Sequence, residues 1–347
     1  MENKTLFKSA VLALVIIISA VAFCEIHLRN KGITVSYDDG PSLWSDQRAM
    51  VYEPADKTIV FIGSSRIKYD LDIATWENKT HIHAVQLAIE GSCPRPILED
   101  LANDPNFKGR LIIDVTEGLF FSNAPPNVKM PIENVKYFHD RTPAQQLSFL
   151  LNRPLEDHLV FLDRDNFSLN AQLDAIELPS RLGVFMMPIF PLDFGRTTFE
   201  RQAYMTKKFT SDSVQENQVK AIWHFFSEMS KKAPPMAASD LANIFESVKV
   251  AIDKIKARGG EVLFVRTPSS GVYLQGERMA FPREKYWNKL LGYTNCRGIH
   301  FEDFLALDHF VCPEFSHLSR PDAIVFTYNF IEILGKEKGW ELPVSTK

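Results

Sequence analysis

Hydrophobic positions along this chain follow three different patterns. From Ser9 to Cys24 the run SAVLALVIIISAVAFC is uncharged and mostly apolar, with no polar face. As a helix it would be about 24 Å long at 1.5 Å per residue, slightly short for a hydrocarbon layer of about 30 Å. A second pattern begins at Thr58–Ile62, a continuous apolar run ending at Gly63, as expected of a strand buried on both faces. His81 to Leu87 and Arg110 to Val115 read as further strands, and Pro94 to Asn103 between them has helical spacing, a βαβ rhythm. The rhythm resumes at Ser239, a candidate N-cap, with a helix to about Ala257 and a stop at Gly259-Gly260. The strand Glu261 to Arg266, a last strand near Gly298 to Phe301 and a closing helix after Ser319, with Pro321 in its first turn, complete it. The third pattern covers about residues 122–237, where amphipathic helical patches such as Pro143 to Leu151 and Val214 to Lys231 are separated by Pro and Gly. This order predicts an α/β fold: a three-layer α/β/α sandwich with a mostly parallel central sheet, spanning about 57–340, and a helical insertion at about 122–237. Residues 30–56 are polar and turn-rich, with Gly32, Asp38-Asp39-Gly40 and Pro41, and predict a stalk between the domain and residues 1–29.

Charge around the first segment gives it a direction. Lys4 and Lys8 precede the apolar run, which by the positive-inside tendency leaves the N-terminus in the cytoplasm and everything after Glu25 outside. The same segment also reads as a signal peptide cleaved near Ala20-Val21-Ala22, giving a secreted protein, or as a helix buried in the core. A lipoprotein reading of Cys24 fails, because Phe23 stands where a small residue is expected. The body, at 347 residues with 45% hydrophobic and 24% charged residues, has the composition of a folded globular chain rather than a disordered one. A net charge of −4 provides no positive field for nucleic acid. Export would place Cys93, Cys296 and Cys312 in an oxidising compartment, where three thiols allow one internal bridge at most. CxxC, HExxH and EF-hand spacings are absent, so neither a metal site nor a cofactor is expected.

Strand-to-loop junctions at the C-terminal edge of such a sheet are where reactive groups collect. The first is Gly63-Ser64-Ser65-Arg66, where glycine permits a tight turn and a hydroxyl projects above the sheet edge; the serines also suit plain helix capping. Near the C-terminus stands Glu314-Phe315-Ser316-His317-Leu318. A serine nucleophile requires a base, and the base requires a carboxylate to hold its tautomer and stabilise the imidazolium, so a carboxylate three residues before a histidine supplies both.

These two motifs resemble the SGNH, or GDSL, hydrolase superfamily, whose first block is Gly-Asp-Ser after the first strand and whose last is Asp-x-x-His. The resemblance covers roughly residues 58–118 and 238–336. It implies that Ser65 is the nucleophile, His317 the base and Glu314 the orienting acid, with Ser64 and Glu314 each standing where the family has Asp. Gly91, in Leu87-Ala88-Ile89-Glu90-Gly91-Ser92, stands where the second block supplies a backbone N–H to the oxyanion. The third block's asparagine is missing from Asp114-Val115-Thr116-Glu117-Gly118, leaving Thr116 as a substitute donor and Asn123 as a weaker one. Arg66 and Arg266 face the same edge, suited either to an anionic sugar or to pairing with a local acid, whereas Arg196, Phe199, Arg201 and Lys207-Lys208 in the insertion read as a mixed solvated surface, with the shaping of a substrate cleft as the alternative. Cys93 and Cys312 flank the two active-edge loops and form the first-ranked disulfide, with Cys296–Cys312 next. The resemblance implies acyl-ester chemistry on cell-surface polysaccharide at the periplasmic side of a bacterial inner membrane. O-acetyl transfer beside a membrane-bound O-acyltransferase leads, with an O-acetyl esterase or a silent carbohydrate-binding scaffold as alternatives.

Overall fold

The computed structural model describes residues 2–54, 56–174, 176, 187–232, 236–340 and 342. Helices are α1 (Glu2–Asn30), α2 (Pro41–Ala49), α3 (Ser65–Asp70), α4 (Ile73–Thr80), α5 (Arg95–Asn103), α6 (Glu117–Phe120), α7 (Pro125–Asp140), α8 (Pro143–Glu156), α9 (Arg164–Phe167), α10 (Leu169–Asp174), α11 (Lys207–Thr210), α12 (Ser213–Ser230), α13 (Ala238–Ala257), α14 (Gly271–Ala280), α15 (Trp287–Thr294) and α16 (Arg320–Lys338). Strands are β1 (Thr58–Ile62), β2 (His83–Gln86), β3 (Arg110–Asp114), β4 (Arg196–Thr197), β5 (Ala203–Tyr204), β6 (Glu261–Arg266) and β7 (Arg297–His300). The chain divides into two compact units, residues 1–38 with 142–187, and residues 39–141 with 188–347.

The larger unit is built on a five-stranded sheet in the order β2-β1-β3-β6-β7, with every pairing parallel. All five residues of β1 are buried, which explains its unbroken apolar run. Alternation along the strands then sorts side chains to two faces. Val60, Ile62, Leu111, Ile113 and Phe264 pack with Trp44 of α2 and with α5, α13 and α15. Ile59, Phe61, Ile112, Leu263 and Val265 pack with Trp76 of α4, with α3 and with Phe326 and Phe330 of α16. The result is a mixed α/β unit with helices on both faces of a parallel sheet. Because β2 lies on one side of β1 and β3 on the other, the strand order reverses at β1, and the crevice there opens at the C-terminal ends of β1 and β3.

Several boundaries differ from those the sequence pattern suggests. Residues 41–52, expected as stalk, form α2 and a following turn of 3-10 helix, and Leu43, Trp44 and Arg48 are buried. Trp44 Nε1 donates to Leu87 O at 3.0 Å, and Arg48 pairs with Asp100 at 2.7 Å and Asp104 at 2.8 Å, fastening this segment to α5. The N-cap of α13 is Ala237, not Ser239, which lies inside the helix. Ser319 does cap α16, accepting from Asp322 N, with Pro321 in the first turn. The stretch expected as a helical insertion is split: 142–187 belongs to the smaller unit, while 188–237 belongs to the larger and includes the antiparallel β4–β5 pair. Arg196 and Arg201, expected on a solvated surface, are buried, whereas Lys207 and Lys208 are exposed.

The smaller unit contains α1, the one helix among the described residues that is long and apolar enough to cross a membrane. It extends past the apolar run at both ends, and its apolar side chains are exposed, which removes the buried-core reading.

Candidate active site

Ser65 owes its position to the junction of β1 with α3. A Cβ on Gly63 would lie 2.6 Å from Asp114 Cβ and 2.7 Å from Ile67 Cγ2, so only glycine lets β1 leave the sheet this close to the end of β3. Ser64 follows with extended backbone and makes no side-chain cap to α3. Its hydroxyl instead donates to Thr116 Oγ1 at 3.1 Å, and Thr116 donates to Asp114 Oδ2 at 3.0 Å. Ser65 opens α3, half-buried, with its Oγ 2.8 Å from His317 Nε2.

His317 arrives from the other end of the chain because α16 packs against α3 and α4. Leu318 N donates to Asp70 Oδ1 at 2.8 Å and Asp72 N to Thr327 Oγ1 at 2.8 Å, so the end of α3 is pinned to the start and middle of α16. The turn 314–317 is tight enough to place Phe315 at φ +80°, an unfavourable backbone for a bulky residue. Its strain is offset by the contacts it enables. Glu314 Oε1 accepts from Ser316 N at 3.3 Å, His317 N at 2.6 Å and His317 Nδ1 at 3.0 Å. Glu314 Oε2 accepts from Trp223 Nε1 of α12. Both carboxylate oxygens are thus satisfied inside the protein, as burial of this group demands. Rings of Tyr69, Phe194 and Trp223 wall the imidazole with centroids at 4.5, 5.8 and 5.8 Å. The arrangement Ser65–His317–Glu314 is a continuous hydrogen-bonded relay in which Nδ1 donates to the carboxylate and Nε2 accepts from the hydroxyl.

Other expected site residues are placed differently. Gly91 lies in the turn after β2 at φ +63°, a conformation that favours glycine, and among the described residues nothing accepts from its N–H. The Ser65 N–H opens a helix and so lacks an intrahelical acceptor. Thr116 is not a spare oxyanion donor: its hydroxyl proton is committed to Asp114. Asn123 is exposed and its Oδ1 accepts from Arg95 Nη2 at 2.7 Å. Neither arginine presents a guanidinium to a solute, since both are buried. Arg66 pairs with Glu277 at 2.5 Å and its Nε donates to Ser316 Oγ at 3.3 Å, steadying the Glu314–His317 turn from beneath. Arg266 holds Glu117 with Nε at 3.0 Å from each carboxylate oxygen and reaches Glu277 at 2.6 Å. Burial pushes the carboxyls of Glu277, Glu117 and Asp114 upward. The charges of Arg66 and Arg266 outweigh it for Glu277, held below the usual range, but not for Glu117 or Asp114, which stay above.

All four cysteines carry free thiols, so neither ranked disulfide forms. Cys296 packs against the apolar cluster on one sheet face and Cys312 lies in the cluster on the other, which separates that pair by the sheet itself. Cys93 Sγ is occupied by Phe120 O and Arg95 Nε, and Cys312 Sγ faces Pro268 O. Burial raises both thiols above the ordinary range.

The structure also adds residues to the site. Trp223 completes the coordination of Glu314 from a helix 91 positions away, a link with no local signal. Arg201, at φ +64°, donates Nη1 to Gln86 O at 2.7 Å and Nη2 to Ala88 O at 3.0 Å, and its Nε and Nη2 grip Asp39. Lys68 of α3 joins the same Asp39 and reaches Glu90 at 3.0 Å. Asp39 and Arg201 therefore hold the loop bearing Gly91 against the helix bearing Ser65. Burial opposes the Asp39 charge, but Arg201 and Lys68 hold its carboxyl below the usual range.

The chain matches no protein-family model and no curated protein. Among the described residues no cluster of His, Cys, Asp or Glu is arranged to hold a metal ion.

Proposed function

We propose that this protein performs acyl-ester chemistry through a covalent serine intermediate, as an SGNH-like enzyme acting on cell-surface polysaccharide, with O-acetyl transfer as its reaction. The observation that carries the reading is the relay itself: Ser65 Oγ 2.8 Å from His317 Nε2, and His317 Nδ1 3.0 Å from a fully buried Glu314. In the first half-reaction the Ser65 proton passes to His317 Nε2 while Oγ bonds to the ester carbonyl carbon. Collapse of the tetrahedral intermediate breaks the bond to the leaving oxygen, which takes the proton back from Nε2. In the second half-reaction a sugar hydroxyl gives its proton to His317 and attacks the acyl-enzyme, and Ser65 leaves with that proton. Glu314 stays ionised throughout and stabilises the imidazolium. Backbone N–H groups of Ser65 and Gly91 are the oxyanion donors in this reading.

The commitment of Thr116 to Asp114 leaves two backbone donors where a third commonly contributes a few kcal/mol, which slows attack by water and by a sugar hydroxyl alike and leaves the choice between them to positioning. A sugar hydroxyl held in the cleft gains an effective concentration that bulk water does not. Lys4 and Lys8, in the first turns of α1 before its apolar run, support a cytoplasmic N-terminus and a periplasmic domain at the bacterial inner membrane, where a multi-pass O-acyltransferase would serve as acyl donor. The test is mass spectrometry of an oligosaccharide acceptor incubated with an activated acetyl ester and the full chain, with free acetate measured in parallel. Acetylated sugar formed faster than acetate supports transfer. Acetate unaffected by any acceptor identifies an esterase, and neither product from the folded chain with its membrane partner identifies a scaffold.

A further inference from the structure

The smaller unit contains a second apolar surface besides α1. α8 spans 14 residues, opens with a full capping box between Thr142 and Gln145, and buries none of its side chains. A helix without a buried residue has no reason in its own unit to be apolar on one side. Yet Leu147, Leu150, Leu151 and Leu155 recur at i, i+3, i+4 and i+8 and are 58%, 57%, 63% and 49% exposed. Gln145, Gln146, Asn152 and Arg153 occupy its polar positions, so the helix has little net charge. Leu169 and Leu173 of α10, four residues apart, are exposed in the same unit.

What covers this stripe follows from where α8 is tied. Glu25 is the first charged residue after the apolar run of α1. Its carboxylate accepts from Val160 N at 3.1 Å and Phe161 N at 3.3 Å, and Arg29 donates Nη2 to His158 O at 3.0 Å. Arg29 also pairs with Glu25 at 2.6 Å, closing the joint. The chain leaving α8 is therefore fastened to the point where α1 changes from apolar to charged. In a helix that crosses a bilayer this point sits at the boundary between acyl chains and headgroups. Farther along, Arg164 N donates to Asp38 Oδ1 at 3.0 Å, so the segment is tied at both ends.

We infer that α8, with α10, is an interfacial element whose leucine stripe enters the outer leaflet beside α1. The occupant of the apolar face is the phospholipid bilayer, reached because the Glu25–Arg29 joint sets α8 at headgroup depth. A helix with a strong apolar side and low overall hydrophobicity lies in the interface plane rather than across the membrane. The smaller unit then holds the membrane twice, by a span and by a surface helix, which restricts tilting and rotation of the segment that continues into the catalytic unit at Asp39. This inference rests on α1 spanning the bilayer and is independent of the serine chemistry.

The experiment uses the full chain in vesicles of phosphatidylethanolamine and phosphatidylglycerol doped with a phospholipid carrying a diazirine in its acyl chain. After irradiation, lipid adducts are mapped by peptide mass spectrometry. Adducts on residues 142–156 as well as on α1 are expected. Joint substitution Leu147→Gln, Leu150→Gln, Leu151→Gln and Leu155→Gln should lower the 142–156 adducts at least ten-fold and leave those on α1 unchanged; no core residue is removed, because α8 buries none. Adducts on α1 with none on 142–156 overturn the inference while sparing the span. Absence of adducts from both overturns the span as well. In a parallel sample whose chain carries photo-leucine, cross-links from α8 to a second copy, without lipid adducts, overturn it in favour of a protein cover.

Discussion

Glu314 and Trp223 should be energetically coupled, with a sign fixed by hydrogen-bond polarity. Oε1 of Glu314 already accepts three N–H groups, and Oε2 accepts Trp223 Nε1. In Glu314→Gln the side-chain oxygen must stay with those three donors, so the new NH₂ faces the indole N–H, donor against donor, at a part-buried contact. Two opposed donors are then left without an acceptor, at up to about 1–3 kcal/mol each. Trp223→Phe alone leaves a charged oxygen unpaired and costs about 1.5–3 kcal/mol, the range for hydrogen bonds to ions. In the double variant the opposing N–H is gone, and the second substitution adds less than its single cost. Urea unfolding of the four proteins gives the cycle directly, and the expected interaction energy is about 1–3 kcal/mol in favour of the double variant. The rate at which a fluorophosphonate phosphonylates Ser65 should fall in Glu314→Gln through loss of the charge and recover only in part in the double variant. Additive stabilities within about 0.5 kcal/mol would refute the contact and with it the claim that α12 completes the relay.

Three further outcomes are expected. Arg201→Gln should slow phosphonylation of Ser65 by the fluorophosphonate about ten-fold or more with a smaller effect in Arg201→Lys, because the carbonyls of Gln86 and Ala88 lose the group that holds the Gly91 loop; equal rates in both would dismiss the positioning role. His300 is pushed down to about 2 by burial first and then by Arg266, Arg283 and Arg278, so the folded chain refuses a proton that the unfolded chain accepts near pH 6.5. Its contribution is complete above pH 6.5 and is lost as pH falls, at about 1.4 kcal/mol per pH unit, and stability measured against pH should be flatter below 6.5 in His300→Gln. Alkylation of the denatured protein under non-reducing conditions should modify Cys24, Cys93, Cys296 and Cys312 alike; any protected pair would contradict the four free thiols, and protection of Cys296 with Cys312 would contradict their separation by the sheet.

Fold and site were unequally legible in the sequence. β1 and β6 coincide with the strands their apolar stretches predict because both are buried along nearly their whole length, and burial on two faces leaves a continuous signature. Residues 41–52 misled because their helix buries polar side chains, Ser45, Gln47 and Arg48, and the acids that pair with Arg48, Asp100 and Asp104, lie on α5 and at its C-terminal end. Ser65, Glu314 and His317 were readable as a spacing pattern: a glycine turn off a strand and a carboxylate one turn before a histidine. Arg66 and Arg266 were readable as residents of that edge but not as its scaffold, since the acids that bury them, Glu117 and Glu277, come from α6 and α14. Trp223 and Arg201 had no readable sign at all. Their partners are set by tertiary packing, and only a left-handed backbone at position 201, invisible in a one-letter code, marks the strain that the loop clamp imposes.

Labelling of the full chain with a fluorophosphonate, followed by peptide mapping, tests the central claim most directly. The account predicts one modified serine, Ser65, with labelling abolished in Ser65→Ala and in His317→Ala while both variants remain folded by circular dichroism. Modification of Ser64, or no modification of any serine in a folded wild-type chain, would contradict it.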